Sequence, residues 1–515
     1  MKTRFFVTAA VILGIIAVGL LFLRHHTRKA TMILVNGAVY TVNPSQPRAE
    51  ALAVKDGIIV GVGSTKDLLD RFAADTVVDL QGKPVYPGFI DSHAHLEGLG
   101  ILLMTLDVYG AESPEEVASR VTAQSARQPA GSWIRGRGWD QNRWKEKVFP
   151  SRTVLDAAAP ENPVMLTRVD GHAVWVNTRV LHLAGIDRAT PDPEGGRIIH
   201  DASGDPTGVF VDNAMNLVAA VLPPPSRAER TEAVKLAVNE CLAFGLTQVH
   251  DMGADSQLIG IYKELISRKE FPFRVYVAVD GPGETWNAYL KSGPAKDFGD
   301  GKLVVRALKL YMDGALGSRG AALLQPYDDD PGNRGLTIMS SDSLRKLAQL
   351  CLDKGFQLCV HAIGDRANNI VLSTYQKVFK SNKINGNDVR FRVEHAQIVD
   401  RGDLPLFHTL GVLPMMQPTH CTSDMPWVVD RIGESRAAEA YSWRSLLDDG
   451  NIVPAGSDFP VESPNPLLGF YAAITRQNLE GKPDSGWHPE QRMTRDEALK
   501  AFTIWGAYAA FQEEQ

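Results

Sequence analysis

Cysteine is scarce in this chain. The 515 residues hold four, Cys241, Cys351, Cys359 and Cys421, and they are widely scattered. No Cys-x-x-Cys pair occurs, which excludes a zinc knuckle and a redox dithiol and leaves small buried thiols as the plain reading. An excess of positive charge is also missing. The formal net charge is -6, mild for this length and without the basic footprint that nucleic acid requires. Low-complexity tracts and fixed-period repeats are absent, which excludes a repeat array.

Long hydrophobic runs are missing too, with one exception. Residues 5–23 contain no charged side chain and are almost wholly apolar, close to the ~20 residues that span a bilayer. Lys2 and Arg4 precede the run; Arg24, Arg28 and Lys29 follow it. A secretory signal peptide would have a shorter apolar core and a small-x-small cleavage site, and Leu20-Leu21-Phe22-Leu23-Arg24 offers none. The expectation is a single-pass membrane anchor with a basic linker over residues 1–30. Both flanks are basic, so the positive-inside rule sets no orientation.

What remains is long enough for more than one domain at ~150 residues each. Residues 31–84 read as a small antiparallel β unit. Strand-like runs flank Asn36-Gly37 and Asp56-Gly57, the dipeptides of tight hairpins, and residues 76–80 add another strand. From residue 85 onward, short apolar strands alternate with helix-like stretches, the pattern of a parallel α/β arrangement. Strands are expected at 85–90, 246–250, 274–279, 304–311, 357–361, 390–395, 412–417 and 452–455. Eight such units suggest a TIM barrel over 85–515. Helices are expected at 229–244, 257–269, 341–354, 367–379 and 494–509. Residues 107–225 interrupt the rhythm after the first strand and are rich in Trp, Arg, Gly and Asp. They read as an insertion over the barrel mouth, where TIM barrels carry their chemistry. Trp139, Trp144 and Trp175 in it are as readily an aromatic core as a substrate lid.

Candidate chemistry begins at Pro87-Gly88-Phe89-Ile90-Asp91-Ser92-His93-Ala94-His95. Residues i and i+2 of a strand share a face, so His93 and His95 project together as a metal-gripping pair. Alone, His-x-His is a weak signal. Lys309 lies within the apolar run Ala307-Leu308-Lys309-Leu310-Tyr311, where an ammonium is costly to bury. His361, His395 and Asp458 each end an apolar run, the position that reads as catalytic in this fold. A lone strand-end histidine is more often a hydrogen-bonded loop residue, and an Asp after Gly-Ser is more often a helix cap. The combination in successive units is hard to make by accident.

The set resembles the binuclear metal site of the amidohydrolase superfamily, and more closely amidohydrolase family 3, the branch that contains N-substituted formamide deformylases. The matching segments are residues 87–95, Gly138-Trp139-Asp140, Asp170-Gly171-His172, residues 309–319, His361-Ala362-Ile363-Gly364-Asp365, Glu394-His395-Ala396 and Gly456-Ser457-Asp458-Phe459-Pro460. The resemblance covers residue 31 to the end. It implies a TIM barrel with a small β-sandwich unit and hydrolysis of carbon–nitrogen bonds, most readily linear amides, by a metal-bridging hydroxide. His93, His95 and Asp458 would hold the more buried ion, and His361 and His395 the second. Lys309, carboxylated by carbon dioxide, would bridge both. Imidazole and carboxylate ligands suit zinc, with iron, manganese or nickel as alternatives. Asp458 would take the water proton and pass it to the leaving nitrogen. His172 would bind the substrate or the oxyanion. Asp313 and Arg319 would order the surroundings of the metals, and Trp139 and Asp140 would lie near the substrate.

The expected partners are a small-molecule amide, the membrane and a second copy in a homodimer, with no nucleic acid. One departure stands out. The family chain normally returns after the last helix to complete the small β unit, and here it stops at Ala510-Phe511-Gln512-Glu513-Glu514-Gln515. That predicts a half-built sandwich with exposed strand edges. An ester or lactone hydrolase on the same site is one competing reading. A membrane-anchored binding protein that lost activity by truncation is another.

Overall fold

The computed structural model describes residues 28–168, 173–193, 196–317 and 319–514. The apolar run at 5–23 lies outside them. Among the described residues no helix is long and apolar enough to cross a membrane.

The amino-terminal unit is mixed, not purely antiparallel. β1 (Arg28–Val35), β2 (Ala38–Tyr40), β3 (Arg48–Ala49), β4 (Ala51–Lys55), β5 (Ile58–Gly63), β6 (Phe72–Asp79) and β7 (Pro84–Val85) form two sheets. One has the order β5-β4-β1-β6 and the other β3-β2-β7. The hairpin expected around Asp56-Gly57 joins β4 to β5, with φ of 50° and 80° at the two turn residues, as a type I′ turn requires. The hairpin expected around Asn36-Gly37 does not form. There the chain leaves one sheet for the other, and β1 pairs instead with β4 and, in parallel, with β6. The strand expected at 76–80 is the end of that parallel β6. A dipeptide signal reports a turn, not which strands pair after it.

The main sheet is a nearly closed parallel barrel. Its strands are β8 (Phe89–Ala94), followed after the insertion by β15 (Leu246–Ala254), β16 (Arg274–Asp280), β18 (Leu303–Tyr311), β19 (Gln357–Ala362), β20 (Arg392–His395) and β21 (Leu413–Met415). They lie in the order β21-β20-β19-β18-β16-β15-β8, and β17 (Ala295–Phe298) pairs antiparallel with the first half of β18 off this path. These strands are buried on both faces, which is why they read as continuous apolar runs. The eighth expected strand, 452–455, is reduced to a bridge between Met416 and Ala455. It still closes the ring: Met416 N–H donates to Pro454 O, and Ser92 N–H to Ala455 O. The first strand begins four residues later than expected, so His93 sits inside it and His95 falls at the position just before the following helix, Leu96–Met104.

Helices fall where the pattern places them. Arg227–Ala243 opens with a Ser226/Glu229 capping box, which satisfies two orphan amides at once. Ser341–Lys354 ends on Gly355 at φ 75°, the left-handed cap that glycine takes without cost. The expected helix at 494–509 is broken into Arg495–Ala501 and Ile504–Ala509.

The 107–225 insertion builds its own six-stranded sheet. Its strands are β9 (Leu106–Asp107), β10 (Ile134–Trp139), β11 (Val164–Arg168), β12 (Ala173–Val176), β13 (Gly196–His200) and β14 (Pro206–Asp212), in the order β13-β14-β12-β11-β10-β9. Trp139, Trp144 and Trp175 pack together in its core, with Trp139 and Trp175 crossing edge to face at 6.1 Å.

Candidate metal centre

The carboxyl end of the barrel gathers most of the residues singled out from the sequence. β8 delivers His93 and then His95, β18 Lys309, β19 His361 and β20 His395, while Asp458 follows the closing segment. The His93 and His395 rings are 4.8 Å apart, and those of His361 and His395 4.5 Å. His93 Nε2 lies 3.2 Å from Lys309 Nζ and 3.5 Å from Asp458 Oδ1; His95 Nε2 lies 3.2 Å from the same oxygen. His93 and Lys309 are each 1 % exposed and Asp458 8 %.

Two local features aim these groups. Glu394 and His395 are neighbours, and a regular strand would point them to opposite faces. His395 has φ 74°, a left-handed value uncommon outside glycine. The alternation breaks there, and both side chains meet His93. Asp458 is also left-handed, at φ 60°, pinned by its N–H on His93 O at 2.8 Å. Such backbones cost about 1–3 kcal/mol each and persist where the surroundings fix them. The approach of this segment to β8 admits only glycine at 456, because a Cβ there would sit 2.6 Å from both Asp91 Oδ1 and His93 N.

An outer ring orients the inner one. Glu394 Oε2 accepts from His93 Nδ1 at 2.5 Å, and Arg392 holds both oxygens of Glu394 from Nε and Nη2. Arg392 also donates to Ser92 O and meets His250 Nδ1. Gln417 Oε1 faces His395 Nδ1 at 2.8 Å. Asp313 accepts from the amides of Ala322, Ile363 and Gly364 and lies 3.5 Å from His361 Nε2. Its burial pushes the carboxyl up to about 7 against those three bonds.

Burial also sets the charge of the inner ring. It lowers His93 to about 4 and His361 to about 3, each helped by Lys309, and lowers His395 further below its usual range. These imidazoles are neutral, the form that binds metal. Burial depresses Lys309 as well, against the attraction of Glu394 and Asp458. Burial would raise Asp458, but the surrounding histidines outweigh it and hold the carboxylate well below its ordinary range.

The donor set fits a divalent ion. His93, His395 and Asp458 each offer a ligand atom, all within 4.8 Å of one another. Among the described residues Asp458 Oδ1 is buried without a well-formed hydrogen bond, with His95 Nε2 3.2 Å away, which is costly unless something else satisfies it. A cavity of about 450 Å³ opens over the cluster, walled by Tyr311, Leu316, Trp427, Val461 and Glu462. A second groove, of about 570 Å³, lies near the amino-terminal end of β21 between Phe407, Trp505 and Tyr508, away from the histidine cluster.

Three expected positions fall elsewhere. Trp139 is fully buried in the insertion, its Nε1–H donating to Leu166 O; it is core, not substrate wall. Asp140 accepts from Arg168 at 2.7 Å and is not among the described residues that line the cavity. Arg319 clasps Asp329 through Nε and Nη2 and braces a loop. Motif adjacency had drawn these residues toward the site, but sequence neighbours need not point the same way. His172 lies outside the described residues.

His420 and Glu462 carry no short-range signal and were not expected. His420 sits on the helix Pro418–Asp424, with Nε2 3.5 Å from Asp458 Oδ2 and Nδ1 3.3 Å from Glu462 Oε1. Burial would lower its pKa, yet the hydrogen bonds to the two carboxylates raise it to about 10. The one available cue was a polar residue just past the seventh barrel strand.

Neutral imidazoles and a carboxylate converging at the carboxyl end of a parallel barrel define a metal-dependent hydrolase. The chain belongs to amidohydrolase family 3: the family model described as "Amidohydrolase family" matches residues 76–515. It is 34% identical over 501 residues to the Arabidopsis thaliana Protein LONG AFTER FAR-RED 3, covering 94% of this chain and 84% of that protein. It is 29% identical to the N-substituted formamide deformylase of Arthrobacter pascens, over 94% of this chain and 90% of that one. The solved structure of an uncharacterized metal-dependent hydrolase from Pyrococcus horikoshii OT3 superposes with a TM-score of 0.76 at 27% identity, covering 94% of each chain.

Proposed function

We propose that the chain hydrolyses linear carbon–nitrogen amides, N-acyl or N-formyl amines, at this metal centre. The observation that carries the reading is the buried cluster of His93, His395 and Asp458, whose ligand atoms lie within 4.8 Å of one another. The likeness to a formamide deformylase supports the bond type.

His93, His95 and Asp458 would hold one ion, and His361 and His395 a second. Bound divalent ions supply Lewis acidity and lower the pKa of water to about 7. Lys309 is suited to bridge them as a carbamate. Its burial favours the neutral amine, the form that adds carbon dioxide, making a nitrogen–carbon bond and releasing one proton. The product replaces a costly buried cation with an anion. Asp458 is the base: Oδ1 takes the proton of the attacking water and returns it to the nitrogen as the amide bond breaks. Glu394 and Gln417 keep the His93 and His395 rings in register by holding the far nitrogens. His172 is assigned to the substrate or its oxyanion, and anchoring through residues 5–23 belongs to the same proposal.

The test uses protein lacking residues 1–30, loaded with zinc and bicarbonate. About two ions per chain, N-formyl amine hydrolysis, and loss of both in Lys309→Ala are expected. Well-folded protein without metal, or activity confined to esters, overturns the reading. His172→Ala should keep its metal and lose kcat/KM; lost metal would remove it from the substrate role. Full-length chain that stays soluble on fractionation would remove the anchor.

A further inference from the structure

We propose that His420 is a positioning residue for Asp458: clamped by Glu462, it holds one carboxylate oxygen so that the other faces the histidine cluster. This rests on the hydrolase reading above, in which Asp458 is the base.

The two oxygens of Asp458 have different surroundings. Oδ1 looks toward His93 and His95, at 3.5 and 3.2 Å. Oδ2 faces His420 Nε2 at 3.5 Å. The far side of the His420 ring meets Glu462 Oε1 at 3.3 Å. One imidazole therefore bridges two carboxylates that leave a single turn, since Val461 N–H donates to Asp458 O at 2.9 Å. The ring also runs nearly parallel to His395, at 12° and 6.1 Å between centroids. One short segment thus governs two members of the cluster: Gln417 holds His395, and His420, one helical turn later, holds Asp458.

The need for such a clamp is physical. A carboxylate at the end of a rotatable side chain can present either oxygen, or both. A base has to stay within about 0.5 Å of its productive position. Asp458 has a fixed backbone, and His95 Nε2 faces its Oδ1 at 3.2 Å. His420 is the group that faces Oδ2, and Glu462 keeps the imidazole from turning away.

The experiment compares wild type, His420→Ala, His420→Asn and Glu462→Gln. Each is loaded with cobalt(II) and assayed for metal stoichiometry, visible absorption and hydrolysis of N-benzylformamide. In His420→Ala the cobalt content should stay at the wild-type value while the visible bands shift. Its kcat should fall about 10- to 100-fold, the usual effect of removing an outer-ring partner, with KM little changed. Asn keeps a donor and should recover part of the loss; Glu462→Gln should lose less than His420→Ala. Should the alanine variant fail to fold, the Asn and Gln variants carry the same comparison.

Unchanged bands and kcat overturn the proposal. A rise in KM alone makes His420 a substrate contact, and loss of cobalt makes it a ligand; either also overturns it. Wild type that binds cobalt but hydrolyses no amide overturns the functional reading, while the band comparison still decides the role of His420. Wild type that binds no cobalt overturns both.

Discussion

Replacing Glu394 tests the buried network on which the centre rests. Its carboxylate is fully enclosed and joins two residues through three donor atoms: His93 through Nδ1, and Arg392 through Nε and Nη2. Burial alone would raise its pKa, but Arg392 and His93 outweigh that and hold it well below the ordinary range. Glu394→Ala leaves the Arg392 guanidinium, itself 0 % exposed, without a counter-ion. Breaking one side of a buried pair costs about 3–5 kcal/mol. Glu394→Gln keeps the shape and one acceptor oxygen but loses the charge, and should cost about 1.5–3 kcal/mol, the worth of a hydrogen bond to a charged group. Metal affinity should respond differently. Glu394→Ala frees the His93 ring from its Nδ1 partner, and Glu394→Gln weakens the contact because its single acceptor oxygen must serve both His93 and Arg392; loss of such a contact lowers affinity about 10- to 100-fold. The paired variant Arg392→Met/Glu394→Leu separates the two effects: it should recover much of the stability and none of the affinity. The assays are thermal unfolding of metal-free protein and chelator competition on zinc-loaded protein. If the paired variant restores metal affinity, or Glu394→Gln changes neither quantity, the orienting role assigned to Glu394 is wrong.

Two further outcomes follow from the same geometry. Trp139→Ala should destabilise the protein by about 3–5 kcal/mol, the range for a fully buried large aromatic, while leaving bound metal unchanged; a loss of metal without a loss of stability would return Trp139 to the site. The pH response of metal-free protein isolates His420, whose folded pKa near 10 exceeds the ordinary 6.5. A raised pKa means the folded state keeps its proton longer than the unfolded one. Its contribution is therefore complete below pH 6.5 and fades as pH climbs toward 10, at roughly 1.4 kcal/mol per unit at most. The stability difference between wild type and His420→Asn should shrink over that window, and a difference constant from pH 6 to 9 would contradict the assignment.

The sequence made the barrel legible because a parallel strand buried on both faces must be apolar throughout. A polar residue ending such a run is conspicuous, and His361, His395 and Asp458 were singled out that way. Lys309 was singled out for the complementary reason: an ammonium inside the run Leu308-Lys309-Leu310 is costly to bury. What could not be read was direction. The alternation rule puts Glu394 and His395 on opposite faces, and only the φ of 74° at His395 brings both to His93. The same blindness ran the other way at Trp139 and Arg319, where motif text was right and orientation was not.

Long-range partners form the second gap. His420 and Glu462 are 42 residues apart, and His93 and Glu394 are 301 apart; no local periodicity couples residues at such separations. The residues proposed as ligands were visible because each lies in or just after an apolar barrel segment. The groups that orient them need only reach the ligand, from whichever element passes nearby, so their positions follow from the closed barrel and not from any one segment. Arg392 shows this best. In sequence it is a charge at the start of a strand, and in the structure it is a fully buried guanidinium tying β20 to β8 through Ser92 O and Glu394. A buried charge of that kind is tolerable only once the barrel has closed around it, so its role could be read only after the fold was known.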